Sequence, residues 1–422
     1  MHRMAAAGSD MVENSEKFFL GRQPILDRNQ EIVGFELLFR SAEKNVAEFE
    51  SYSQASASVI TNAMAAFGME EVLGGKFGFI NVHLGLLLSE MLEVLPVQQT
   101  VLELLEFIDL DDQVLERCRE LKAIGFMLAL DDHEFNSERG RIYEVVDIVK
   151  IDILQTGLDA LPAIVSELRQ TPVRILAEKV ETVEQFEVCF RMGFDLFQGY
   201  FFERPVVLNK RRIDVSGMAM LKLLQQLTMD ASLEEIEQTF KENPSLSYNL
   251  LRLVNSVAMG MREKIKTLRH AILMLGTEHL RRWTQLSLFA GYDNRGMNNP
   301  LVEMAAVRGR LMETIVRQQL KGIAGDEQGD AAFMTGILSL LEVLFETSMS
   351  EIILNLNLSD EVSNALLYRS GQLGSLLKLA EKLEITDFDA VSPLLGECGI
   401  SLDQLLAAQL EAFNWRSGII AR

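Results

Sequence analysis

The 422-residue sequence predicts two folds in series: an α/β part, read as a (β/α) barrel with an antiparallel first strand, and then an all-α helical bundle. Three observations carry this. From Phe18 to about Pro205 short β-type apolar runs alternate with amphipathic stretches, the pattern of a parallel sheet wrapped by helices. The opening runs FFLGRQPIL and EIVGFELLF flank a polar turn at Asp27-Arg28-Asn29-Gln30, which reads as an antiparallel hairpin. After Pro205 the strand pattern stops, NKRRID reads as a linker, and the later periodic segments are helical.

Taken in order, the further strand candidates are FGFINV, TVLELLE, FMLALDD, DIVKIDI, VRILAEKV and FDLFQGYFF. Between them, DDQVLERCRELKAIG places Val114, Leu115, Cys118 and Leu121 at helical spacing and ends at Gly125. In the second half Ser232 and Glu235 form a capping box ahead of LEEIEQTF, and Pro244 marks the next helix start. Gly276 and Gly336 interrupt apolar repeats. The predicted boundaries are a tail at 1–15, the barrel at 16–206, a linker at 207–215 and the helical domain at 216–422.

Composition narrows the class. With 48% hydrophobic and 24% charged residues the chain has ordinary globular composition and enough length for two cores. A net charge of -21 with no basic stripe argues against DNA or RNA as a partner, because phosphate binding needs clustered Lys and Arg. Cys118, Cys189 and Cys398 are odd in number and widely spaced, and read as buried thiols in a reducing compartment. No apolar run reads as a membrane span, and MHRMAAAGSDMVENSE lacks the apolar core of a signal peptide, so the expected location is the cytoplasm.

The polar residues near the strand ends are Glu36, Asn81, Glu103 with Glu106, Asp131 with Asp132, Lys150 with Asp152, Glu178 and Gln198. In a (β/α) barrel these positions converge on one mouth. Carboxylates plus an amide oxygen make a hard oxygen site suited to Mg²⁺ or Mn²⁺. Two such ions can clamp a phosphodiester and acidify a water, and a lysine beside them can stabilise developing negative charge. Any one of these residues is equally well a solvated strand end; the whole set is harder to explain that way.

The order ELLFR, FIN, LELLE, LALDD, VKID, AEKVE and QGYFFERP resembles the EAL domain, a TIM-like barrel that hydrolyses cyclic di-GMP. The resemblance covers roughly residues 16 to 206. It implies that Glu36, Asn81, Glu103, Asp131 and Asp132 are metal ligands and that Glu178 is a further carboxylate near the metals. It implies that Lys150 orients water, Gln198 contacts water, Glu106 steadies the loop after the Asp pair, and Arg40 meets a ligand phosphate. It also implies that barrels of this type pair as homodimers.

Departures from the pattern bear on activity. The EAL triad is Glu36-Leu37-Leu38; His83 stands where a serine is usual and reads as a partly buried histidine filling a polar niche. Lys179 replaces the glycine of AEGVE, either adding positive charge beside the site or pointing to solvent. The Gly, Thr and Ser loop that follows the Asp pair in active members is replaced by His133-Glu134-Phe135-Asn136-Ser137-Glu138-Arg139-Gly140, which lacks the same backbone freedom.

The second half, through LLRLVNSVAMG, IKTLRHAILMLG and FMTGILSLLEVL, resembles the HDOD domain, a relative of metal-dependent HD phosphohydrolases. That chemistry needs several histidines and a His-Asp pair. His270 and His279 read as surface or satisfied core residues, and Asn255-Ser256 as a helix end. The implied role is contact with a protein partner. The whole order resembles two-domain EAL–HDOD bacterial signalling proteins, in which the barrel is often a degenerate phosphodiesterase. Three readings follow: a regulator or sensor of cyclic di-GMP with weak or conditional activity, which is the preferred one; an active metal-dependent phosphodiesterase; and a non-binding interaction scaffold.

Overall fold

The structure, a computed structural model, describes residues 18–41, 72–105, 107–131, 140–201, 215–254, 267–290, 300–345, 347–356 and 358–420. The predicted hairpin forms from β1 (Phe18–Asp27) and β2 (Ile32–Ser41), paired antiparallel. Asp27 closes the turn by accepting from the backbone of Asn29 at 2.8 Å and Glu31 at 2.9 Å, while Gln30 takes a left-handed φ of 60°. Six shorter strands follow: β3 (Phe77–Val82), β4 (Thr100–Leu104), β5 (Met127–Leu130), β6 (Ile148–Asp152), β7 (Arg174–Glu178) and β8 (Leu196–Gln198). They close a barrel in sequence order, with β1 antiparallel to both β2 and β8 and every other neighbour parallel.

Helices α1 (Asp112–Ile124), α2 (Leu161–Leu168) and α3 (Val183–Met192) lie between the later strands. The expected stop at Gly125 is met, with φ at 113° and its N–H bonded back to Leu121 and Lys122. Cys118 and Cys189 pack beneath these helices, and burial pushes both thiols up to about 11, which keeps them inert at neutral pH.

The interior of the barrel shows why its mouth is polar. Ile25, Phe79, Val101, Ala129, Ile148, Leu176 and Leu196 form a separate apolar cluster inside the barrel. Side chains alternate along a strand, so the residue two positions toward the mouth points inward as well. That step leads from these seven to Gln23, Asn81, Glu103, Asp131, Lys150, Glu178 and Gln198. On β2 the position level with this cluster is Gly34, where a Cβ would meet the Phe77 carbonyl and the Phe79 ring at 2.8 Å each. The glycine makes room for Phe79, and Glu36 follows it.

The helical half comprises α4 (Val215–Thr228), α5 (Leu233–Glu242), α6 (Pro244–Val254), α7 (Leu268–Ala290), α8 (Pro300–Gln319), α9 (Ile323–Leu338), α10 (Leu341–Phe345), α11 (Met349–Leu356), α12 (Asp360–Tyr368), α13 (Gly371–Glu384), α14 (Phe388–Cys398) and α15 (Leu402–Ile420). The Ser232 and Glu235 capping box is formed in both directions, and Pro244 opens α6. Gly276 breaks α7 with a non-helical φ of 75°. Gly336 behaves differently from the expectation: α9 continues through it, and a Cβ there would lie 2.7 Å from the Gly309 Cα. These two glycines let α8 and α9 cross at close range. His270 and His279 are exposed, whereas Asn255 and Ser256 lie outside the described residues.

One stretch was missed as a membrane candidate. Ile323–Phe345 spans 23 residues and holds an 18-residue window of mean hydropathy 1.2, enough by length and composition to cross a bilayer, but 67% of that window is buried in the bundle. Its apolarity is accounted for by packing against the other helices.

The two halves are in contact. Arg22 leaves β1 and places its guanidinium 4.0 Å from the ring centres of both Phe35 and Phe413. It pairs with Glu303 of α8 at 2.5 Å, and Arg416 of α15 pairs with the same buried carboxylate. Gln409 donates to the Leu20 carbonyl at 3.0 Å, satisfying the edge of β1 where no strand pairs with it.

Candidate active site in the barrel mouth

Lys150 is fully buried at the centre of the mouth. Its Nζ lies 2.8 Å from Asp131 Oδ1, 2.8 Å from Glu178 Oε1, 2.9 Å from Glu103 Oε1 and 3.7 Å from Glu36 Oε2. Four acids from four strands therefore share one ammonium. Glu36 is fixed from two more sides, accepting from Asn81 Nδ2 at 3.0 Å and from Gln198 Nε2 at 2.5 Å.

The site residue that the sequence reading missed is Gln23. It stands directly opposite Glu36 in the hairpin register, accepts from Gln198 Nε2 at 2.9 Å, and donates to the Tyr200 hydroxyl. Its signal was present in the alternation, since Gln23 is two positions from the inward Ile25. What was absent was an acidic side chain to draw attention to it.

Charge in this cluster is unevenly distributed. Burial raises Glu103 well above the usual carboxylate range, and neighbouring Glu36 and Asp131 add to this against the pull of Lys150. Burial likewise raises Glu178 to about 8, helped by Asp131 and Glu36. Glu178 therefore holds a proton at neutral pH. For Glu36 burial also acts upward, but Lys150 and the bonds from Gln198 and Asn81 win and hold it below its ordinary value. Burial disfavours the Lys150 charge, yet its four acids keep the ammonium protonated, well above its ordinary value.

The donor set matches a hard divalent cation. Asn81 Oδ1, Glu103 Oε2 and Gln198 Oε1 are buried with no hydrogen-bond partner among the described residues, beside the carboxylates of Glu36 and Asp131. Yet no group of three or more acids, histidines or cysteines among the described residues is arranged to hold an ion. The carboxylates are spaced around Lys150 instead. An ion would take the acids from the ammonium, so the residues fit Mg²⁺ or Mn²⁺ in chemistry while their present arrangement suits the lysine.

Of the other predicted residues, Asp132 and Glu106 lie outside the described residues, as does the segment 133–139. His83 caps the one-turn helix Leu84–Leu87, accepting from Leu86 N through Nδ1 at 3.3 Å. Lys179 pairs with Asp152 at 2.5 Å, and Asp152 in turn caps Ile153–Thr156. That lysine holds a left-handed φ of 56°, a conformation that a glycine would take freely. Arg40 is not free in the mouth: its guanidinium meets Asp389 of α14 at 2.8 and 3.1 Å.

Comparison with known proteins bears on both halves. Residues 84–205 match the EAL domain and residues 217–366 the HDOD domain. The chain is 30% identical to the Bacillus subtilis protein YuxH over 409 residues, covering 94% of this chain and 98% of YuxH. It is 32% identical to the Vibrio cholerae cyclic di-GMP phosphodiesterase CdgJ over 405 residues, covering 95% of this chain and 93% of CdgJ. Among solved structures, the manganese and cyclic di-GMP complex of Klebsiella pneumoniae BlrP1 aligns with 46% of this chain and 57% of its own at 23% identity and a TM-score of 0.38.

Proposed function

Because this chain belongs to the EAL–HDOD family of two-domain cyclic di-GMP signalling proteins, we propose that its barrel receives cyclic di-GMP and acts as a sensor or regulator with weak or conditional phosphodiesterase activity. The helical half passes the state of the barrel to a protein partner. The observation that carries this reading is the position of Lys150, whose ammonium stands 2.8 to 2.9 Å from three of the acids that the resemblance assigns to the metal region.

Each residue has a role in that reading. Where a divalent ion binds, Glu36, Asn81, Glu103 and Asp131 supply its oxygens, with Asp132 as the remaining predicted ligand, and the ion supplies charge to acidify water and neutralise phosphate. Gln23 holds Gln198, and Gln198 holds Glu36, so one chain of amides orients the first carboxylate. Glu178 carries a proton at Oε at neutral pH and Lys150 carries the positive charge nearest it. Displacing Lys150 from the acids costs the cluster its internal neutralisation, which makes activity conditional on metal supply.

The alternative is a fully active metal-dependent phosphodiesterase. It is favoured by the retained first carboxylates and by the end-to-end similarity to CdgJ. Calorimetry with cyclic di-GMP, paired with hydrolysis by the purified protein in Mg²⁺ and in Mn²⁺, separates the readings. Binding heat with slow turnover is expected. Fast turnover that Glu36→Ala abolishes would establish the enzyme, and absence of heat at high protein concentration would leave only an interaction scaffold.

A further inference from the structure

The β1–β2 hairpin is longer than the barrel it closes. β2 pairs with β3 only through Leu37, whereas its pairing with β1 runs on to Ser41. The last residues of β2 and the first of β1 thus form a two-stranded ribbon standing beyond the mouth. By alternation, the ribbon face that continues the inner face of the barrel carries Gln23, Gly21 and Phe19 on β1, and Glu36, Leu38 and Arg40 on β2.

A turn of the helical half lies on that face. At Gly21 a Cβ would come 2.7 Å from Thr386 Cγ2 and 2.8 Å from Phe388 Cζ, so the glycine permits the turn to seat. Phe388 stacks on Phe19 with ring centres 5.6 Å apart and planes 19° from parallel. Asp389 takes both guanidinium nitrogens of Arg40, the residue directly across the ribbon from Phe19. The turn is well built. Thr386 holds a left-handed φ of 55°, Asp387 accepts from Ala390 N at 3.2 Å, and Lys382 ties Asp387 at 2.8 Å.

Its grip on the ribbon joins a buried stack, Phe19 and Phe388, to an ion pair that is open to solvent. The Arg40 and Asp389 side chains are 39% and 66% exposed, whereas the Arg22 and Glu303 pair that holds the outer side of the hairpin is 7% and 5% exposed. Exposed pairs are weak and are exchanged readily for another anion.

We propose that the Thr386–Asp389 turn is an autoinhibitory cap on the ligand side of the barrel, and that a nucleotide phosphate competes with Asp389 for Arg40. The proposal rests on the reading of the barrel as a cyclic di-GMP receptor. Ligand binding lifts the turn, and α13 and α14, which flank it, carry that event into the helical half. The outer clamp stays closed throughout.

The test is calorimetry of the full chain with cyclic di-GMP. Asp389→Ala tightens binding about threefold, the scale of an exposed ion pair, and adding Phe388→Ala tightens it further, to about tenfold. Gly21→Ala, whose Cβ would meet Thr386 Cγ2 at 2.7 Å and Phe388 Cζ at 2.8 Å, unseats the turn and likewise tightens binding. Affinity unchanged in both Gly21→Ala and the Phe388→Ala, Asp389→Ala chain overturns the cap while leaving the receptor reading intact. No binding by any form, the doubly opened Phe388→Ala, Asp389→Ala chain included, overturns the receptor reading and the cap with it.

Discussion

Lys150 Nζ stands 2.9 Å from Glu103 Oε1, and both side chains are almost wholly withdrawn from solvent. A buried ammonium of this kind is held by its surroundings, since its charge is costly alone and tolerable only among acids. The cluster of Glu36, Glu103, Asp131 and Glu178 is therefore organised by a residue that is not itself an acid. Neutralising Lys150 exposes that dependence.

Lys150→Met should destabilise the chain by about 3 kcal/mol, because it leaves buried acids without their cation. Urea unfolding reads this directly. Mn²⁺ should then raise the melting temperature of the variant more than that of the unsubstituted chain, since an ion enters the vacated position without displacing an ammonium. An equal or smaller rise would mean that the acids do not face a common ion position.

Glu178 sets a pH dependence. Its folded carboxyl is raised to about 8 from an ordinary 4.5, so between those values the folded chain keeps a proton that the unfolded chain has released. The unfolded state binds fewer protons there, and stability falls as pH rises through the window. Its contribution is full below the ordinary value and lost above the folded one. Thermal melts from pH 5 to pH 8 should show the decline, and Glu178→Gln should flatten it. Glu36, held below its ordinary value, acts in the opposite sense at the acid end.

Glu303→Ala should separate the halves. The substitution strands two buried guanidinium groups, Arg22 and Arg416, each already pushed down to about 9 by burial and each paired to this carboxylate. A loss of about 3 kcal/mol is expected, with one calorimetric transition splitting into two as barrel and bundle melt apart. A single transition at the unchanged temperature would show that other contacts hold the interface.

Gly199→Ala tests the seat of Gln198. Gly199 has φ at 145°, and a Cβ there would fall on the backbone of Val180, which bonds to Gln198 and Phe201 at 3.0 and 3.1 Å. Strain and clash together should cost about 3 kcal/mol, and ligand affinity should drop with it because Gln198 carries Glu36. Unaltered stability would mean that the end of β8 is free to move.

Much of this molecule is legible from the residues alone. The eight strands, the polar turn at Asp27–Gln30, the stop at Gly125 and the Ser232 capping box all rest on patterns that span a few residues. The places of Glu36, Asn81, Glu103, Asp131, Lys150, Glu178 and Gln198 near strand ends are local too, and a barrel brings such ends to one mouth. What only the tertiary structure decided is which of them touch. Closure of the barrel puts Lys150 between four acids, seats Gln23 beside Gln198, and lets the helical half reach Arg40 from Asp389, 349 residues away in sequence. Those contacts depend on the register of closure and on how the two halves pack, and neither is encoded in a short stretch of chain.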